Sequence, residues 1–201
     1  MDKKVILIGG FHEIIELCEE ANFEVVGIID NNIIGSYLGY PIIGTDDEAQ
    51  LLFNEYGKIP LIITPDYPLL REKLVCKYSV IGYKFKTLIS PQSKISKYAN
   101  IGNGTVIQSG VNVSSFSTIG DFVKLNVNCN IMHDTIIEEY ATIAPNSVVL
   151  GRVKIGKKSY IGANSTILPE IQIDDNVMVG AGAVVTKNVI SNSIIKGVPA
   201  K

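Results

Sequence analysis

The stretch ISKYANIGNGTVIQSGVNVSSFSTIGDFVKL, residues 95–125, decides the fold. Taken six residues at a time, it gives Ile95, Ile101, Ile107, Val113, Ile119 and Leu125. The same step reaches back to Ile89 and forward through Ile131, Ile137, Ile143, Val149, Ile155, Ile161, Ile167, Ile173 and Val179 to Val185. Every residue in this series is a branched aliphatic, and the register never slips. Two places before each one stands a small or modest side chain, from Thr87 and Ser93 to Val177 and Ala183. A helix, with a period of about 3.6, cannot keep a strict six on one face over so long a run. A triangular coil can. Each of its three sides is a short strand, the aliphatic fills the interior, and successive coils pair edge to edge. Three hexads make one turn of about 18 residues, so the series predicts a parallel β-helix of about five and a half turns, roughly 25 Å tall. Gly102, Gly120, Gly156, Gly162 and Gly180 follow the aliphatic directly and are read as corner residues where the backbone takes unusual φ.

Residues 1–82 read differently, and residues 83–201 form the repeat domain. VILIGG (5–10) is a buried strand entering a glycine turn. HEIIELCEEAN (12–22) has helical spacing, and VVGIID (25–30) is a second strand. DDEAQLLFNEYG (46–57) reads as a helix capped by Thr45 or Asp46, PLIIT (60–64) as a third strand and DYPLLREKLVCKY (66–78) as a third helix. This order predicts a small α/β, Rossmann-like parallel sheet. Such sheets take ligands beyond the carboxyl ends of their strands. Here that edge carries Gly9, Gly10, Phe11 and His12, then Asp30 and Asn31, then Thr64, Pro65 and Asp66. The turn lacks the GxGxxG pattern, which argues against a nicotinamide cofactor.

The remaining composition excludes several classes. The net charge is −2 and no basic block occurs, so neither nucleic acid nor an anionic membrane is an expected partner. No apolar run approaches the roughly 18 residues that span a bilayer, and MDKK leads into VILIGG without a leader-like apolar region. Cys18, Cys76 and Cys129 lack metal-binding spacing; they fit a reducing cytoplasm, as buried thiols.

The combination of LIGG and the following histidine, LISPQSKISKYANIGNG (88–104), MHDTIIEEYATIAP (132–145) and the terminal GVPAK resembles one family over essentially the whole chain. It is similar to the bacterial sugar acetyltransferases of the sialic acid O-acetyltransferase and nucleotide-4-amino-sugar N-acetyltransferase group. The resemblance implies a left-handed coil, a homotrimer, acetyl-CoA held between neighbouring prisms, and no metal. It implies His133 as general base with Asp134 as its adjacent acid. It places Thr142 near the acetyl group, and Gly162, Ala163, Gly180 and Ala181 along the pantetheine arm. Gly10, Phe11 and His12 would form the substrate-phosphate turn, with Asp30, Asn31 and Asp66 around a UDP- or GDP-linked sugar. Glu13 stands where the family commonly has glycine, so its carboxylate must point away from a bound diphosphate.

Acyl transfer from a thioester needs a nucleophile that loses a proton as it attacks. An imidazole with an ordinary pKa near 6.5 accepts that proton near neutrality. Adjacent residues in a strand point apart, so His133 and Asp134 must share a corner, or else Glu138 or Glu139 orients the ring. The expected activity is N-acetylation of a nucleotide-linked 4-amino-sugar for surface glycan synthesis. O-acetylation of a sialic acid and a non-catalytic sugar-binding scaffold are the alternatives.

Overall fold

The computed structural model describes residues 3–201; the first two residues of the N-terminal unit lie outside the described residues. That unit contains β1 (Lys4–Ile8), α1 (His12–Glu20), β2 (Glu24–Ile29), β3 (Ser36–Tyr37), β4 (Tyr40–Gly44), α2 (Ala49–Tyr56), β5 (Leu61–Ile63) and α3 (Pro68–Ile81). The sheet order is β3-β4-β2-β1-β5, parallel except for the β3–β4 hairpin. β1 lies inside the sheet, between β2 and β5, and is buried on both sides, as a run of unbroken aliphatics requires. Its Val5 and Leu7 pack with Ile14, Ile15 and Cys18 of α1. Its Ile6 and Ile8 pack with Ala49 of α2 and Leu74, Val75 and Tyr78 of α3. Thr45 caps the turn before α2, its amide and hydroxyl both donating to the Glu48 carboxylate, at 2.8 and 3.0 Å. The hairpin is additional to the three strands expected. It pairs only two residues from each strand, inside a stretch without alternation, and its turn residues Leu38 and Gly39 both take positive φ.

α3 ends at Gly82, which takes the left-handed conformation (φ 112). Residues 84–86 still pair with Leu61, extending the β5 edge before the chain enters the coil at Leu88. From there strands of two residues recur every six. Six stack on the first face, beginning at Lys94–Ile95; five on the second, from Asn100–Ile101; seven on the third, which starts at Leu88–Ile89. Ile107, Leu125, Ile131, Ile137, Ile143, Val149, Ile155, Ile161, Ile167 and Ile173 are fully enclosed. The small series also points inward, and its hydroxyls are satisfied one coil on: Thr105, Ser117 and Ser159 donate to the carbonyls of Gly120, Met132 and Asp174. After Val185 the last coil is two residues short, so Ile173 pairs with Val189 and Val179 with Ile195. That deletion ends the strict step of six.

The glycines do a different job from the one the sequence suggested. None of Gly102, Gly120, Gly156, Gly162 and Gly180 has a positive φ. A methyl on Gly102 would lie 2.5 Å from the Gly120 carbonyl carbon, and one on Gly162 would lie 2.5 Å from Val179 O. They permit close approach of the next coil. The positive φ falls instead on every sixth residue elsewhere in the turn, including Asn128, Asp134, Asn146, Arg152 and Asn164. Cys18 and Cys129 are buried, and burial pushes the Cys18 thiol up to about 12; Cys76, expected to be buried, is exposed.

Candidate active site

His133 sits in the turn between a first-face strand and a second-face strand. The structure therefore sets its ring outside the aliphatic filling, and its side chain is 50% exposed. Asp134 takes φ 58, a conformation that Asp tolerates better than most residues. That twist swings its carboxylate back alongside its predecessor, and His133 Nδ1 lies 2.7 Å from Asp134 Oδ2. Glu138 and Glu139 do not compete for the ring. They pair with Lys154 at 2.9 Å and Lys157 at 3.1 Å. The carboxylate leaves Nε2 as the open ring nitrogen.

The second constellation lies at the carboxyl ends of β1, β2 and β5. Gly9, Asp30, Asn31, Asn32, Asp46, Pro65 and Leu70 line a cleft of about 340 Å³, and Gly10, Phe11, Thr64, Asp66 and Lys124 continue it toward the prism. Asp30 builds the turn: its carboxylate accepts from Gly10 N at 2.8 Å, Asn32 N at 2.8 Å and Ile33 N at 3.1 Å. Asn31 and Asp46 exchange two hydrogen bonds, 2.9 and 2.8 Å long. His12 is exposed at the start of α1 beside the Phe11 ring. Glu13 points away from the turn to Gln108 of the prism, 3.2 Å off, as a ligand phosphate at Gly10 would require.

The third group lies on the edge between the third and first faces. The amides of Gly162 and Gly180 are engaged in coil pairing, donating to Val179 O and Ile195 O. Those of Ala163 and Ala181 donate to no protein acceptor among the described residues. Toward the other margin of the third face, Tyr67, Pro68 and Leu69 at the start of α3 share with Tyr160, Met178 and Ile194 the lining of a largely apolar groove of about 320 Å³.

Thr142 is a correction. It is wholly buried on the third face, the face opposite the His133 edge of the same chain. Its hydroxyl donates to Asp66 O at 2.7 Å and accepts from Arg71 Nη2 at 2.9 Å, so its one proton is not free for a thioester.

The sequence reading missed the residues that join the cleft to the prism. Arg71 is 2% exposed and donates across the seam to Phe122 O, Tyr140 O and Ala141 O, and within its own unit to Pro65 O and Asp66 O. Burial lowers its pKa and Asp66 opposes that, leaving a cation whose donors are all matched. Lys124 reaches from the third face to Thr64 O at 2.7 Å and Asp66 Oδ1 at 2.9 Å. Desolvation pulls its pKa down, with Asp66 opposing. A signal existed for Arg71: it falls in helical register with Leu74, Val75 and Tyr78, on the stripe that packs inward. Lys124 gave none, since outward positions of the coil also carry Lys94 and Lys154.

A family model for the bacterial transferase hexapeptide (six repeats) matches residues 116–151 and 152–187. Comparison with curated protein sequences gives no match. Among solved structures, the acetyltransferase domain of PglB from Neisseria gonorrhoeae FA1090 in complex with acetyl coenzyme A is similar at TM-score 0.93 and 26% identity, over 100% of this chain and 99% of that one. PerB from Caulobacter crescentus in complex with CoA and GDP-perosamine is similar at TM-score 0.93 and 28% identity, over 98% and 96% of the two chains.

The chain is a hexapeptide-repeat protein built like the bacterial sugar acetyltransferases. WeeI from Acinetobacter baumannii AYE shares that build at TM-score 0.86 and 26% identity, over 98% of each chain. The coil of this hexapeptide-repeat protein is accordingly a left-handed β-helix, as the resemblance implied and against the usual right-handed crossover.

Proposed function

We propose that the protein is an acetyl-CoA-dependent N-acetyltransferase acting on the amino group of a UDP- or GDP-linked 4-amino-sugar. The observation that carries the reading is the imidazole at the prism edge, tied by Nδ1 to Asp134 with Nε2 open. Support comes from the full-length likeness to PglB bound to acetyl coenzyme A and PerB bound to CoA and GDP-perosamine.

In this reading the cleft at the β1–β2–β5 edge holds the nucleotide, and the free Ala163 and Ala181 amides hold the pantetheine arm. His133 Nε2 takes the proton from the attacking amine, and Asp134 holds the tautomer and stabilises the imidazolium. The developing oxyanion needs a donor, and in this reading a backbone N–H at a coil corner supplies it. The proton held on His133 then returns to solvent or to the departing thiolate.

The three groups lie apart in one chain. His133 stands on the edge between the first and second faces, while the N-terminal unit packs on the third face, opposite that edge. A working site therefore needs His133 from one copy and the cleft from another, and we infer a homotrimer. The first face suits the contact: beyond Lys94 on its first strand, its outward residues Asn112, Asn130, Val148, Thr166 and Val184 carry no charge. At the rim of that face Phe116 and Tyr98 stack at 5.6 Å while 65% and 55% exposed. A similar ladder on the next edge, Phe122 on Tyr140 at 5.3 Å, is covered within the chain by Phe85, which pairs with β5, and by Arg71 of the N-terminal unit. No helix of the described residues is long and apolar enough to cross a membrane. In this reading the reaction runs in the cytoplasm, where acetyl-CoA and nucleotide-sugars are made.

The test is release of free CoA thiol on mixing the protein with acetyl-CoA and a panel of UDP- and GDP-4-amino-sugars. Turnover with one of them, lost by about 10² or more in His133→Ala, is expected. Activity of that variant within threefold of wild type rejects histidine as the base.

A further inference from the structure

A column of residues eighteen apart runs along the catalytic edge: Lys97, Ser115, His133, Gly151, Pro169 and Lys187. Gly151 is the member without a side chain, and the backbone does not ask for that. Its φ is not in the left-handed region, which here falls on the next residue, Arg152, at φ 61. Nor does it face the backbone of a neighbouring coil as Gly102 and Gly162 do. The three atoms nearest a methyl built on Gly151 all belong to the His133 imidazole: Cε1 at 2.7 Å, Nε2 at 2.8 Å and Nδ1 at 3.3 Å. Such a methyl could not coexist with the ring where it lies.

We infer that Gly151 is a positioning residue for His133, its bare α-carbon being the seat across which the imidazole lies. Three other contacts fix the same ring or its backbone. Asp134 holds Nδ1, Arg152 N–H donates to His133 O at 3.0 Å, and Asp134 N–H donates to Ser115 O at 3.2 Å. The seat adds what these leave open, the tilt of the ring and hence the direction of Nε2. Any side chain at 151 turns the ring about its Cα–Cβ bond and breaks either the Asp134 contact or the aim of Nε2. Misplacement of a reacting group by about 1 Å costs up to about a hundredfold in rate.

The kinetic part rests on the proposed role of His133 as base; the packing part does not, and the experiment separates them. The ¹⁵N signals of the two ring nitrogens of His133 are followed in wild type and Gly151→Ala, with His12→Asn used for assignment. Turnover and KM are measured on the same samples. The expected result is that the His133 signals move, those of His12 stay, and turnover falls tenfold or more with KM within about twofold. His133 signals that stay in place overturn the seat. Signals that move while turnover stays within threefold keep the seat and overturn His133 as the base. Should Gly151→Ala fail to fold, the double variant His133→Ala/Gly151→Ala decides: it folds with the melting midpoint of His133→Ala if the ring is the only obstacle. Failure of the double variant as well overturns the inference.

Discussion

Arg71 Nε donates to Phe122 O at 2.8 Å, joining α3 of the N-terminal unit to a turn of the prism. The same guanidinium serves Tyr140 O, Ala141 O and the Thr142 hydroxyl, all on the prism side of the seam. Replacing it with Leu leaves several buried acceptors unmatched. Each costs about 1–3 kcal/mol, so Arg71→Leu is expected to lower stability by at least about 3 kcal/mol. Denaturant unfolding checks this, with a second transition appearing if the units come apart.

In the proposed mechanism Asp134 acts through His133, so its loss is milder than loss of the ring. Asp134→Asn keeps the shape but cannot accept the Nδ1 proton with a full charge. Turnover is expected to fall about tenfold, roughly 1.4 kcal/mol of barrier, with KM nearly unchanged. Steady-state kinetics decide it.

Gly162 lies against the next coil, where an added methyl would approach Val179 O to 2.5 Å and Ala181 N to 2.6 Å. Gly162→Ala is expected to cost about 1–3 kcal/mol by forcing the coils apart. Asn164→Gly, at a nearby positive φ of 56, is expected to be close to neutral. Thermal unfolding of the two variants separates the reasons for a small residue at a corner.

Much of this was legible beforehand. The hexad series fixed the prism, because only an inward-pointing slot demands an aliphatic at every sixth place from Ile89 to Val185. The β1, β2 and β5 runs fixed the parallel sheet. The corner position of His133 followed from Ile131, two places before it. What stayed hidden depended on neighbours distant in sequence. Gly102 and Gly162 looked like residues of unusual φ, whereas Asn128, Asn146 and Asn164 carry it. Thr142 looked free until Asp66 and Arg71 closed on it. Gly151 has no meaning until the coil sets it over an imidazole eighteen residues back.

Phe116 holds a bulky ring at φ 62, a conformation costly for its type, and leaves it largely in solvent beside Tyr98. The φ belongs to the turn position, as at Asn128 and Asn146, and the exposed ring is the part that the proposed contact between copies would cover. Phe116→Glu is expected to shift the protein toward monomer in sedimentation and to reduce turnover, without lowering the unfolding midpoint of the monomer.

Complementation tests the central claim most directly, namely that the imidazole and the cleft serving one reaction belong to different copies. One partner carries His133→Ala. The other carries Asn32→Trp, a bulky group at the exposed mouth of the cleft. Each alone is expected to be inactive, and co-expressed chains are expected to regain acetyl transfer through mixed assemblies that pair an intact His133 with an intact cleft. A mixture that assembles but stays as inactive as its components contradicts the account.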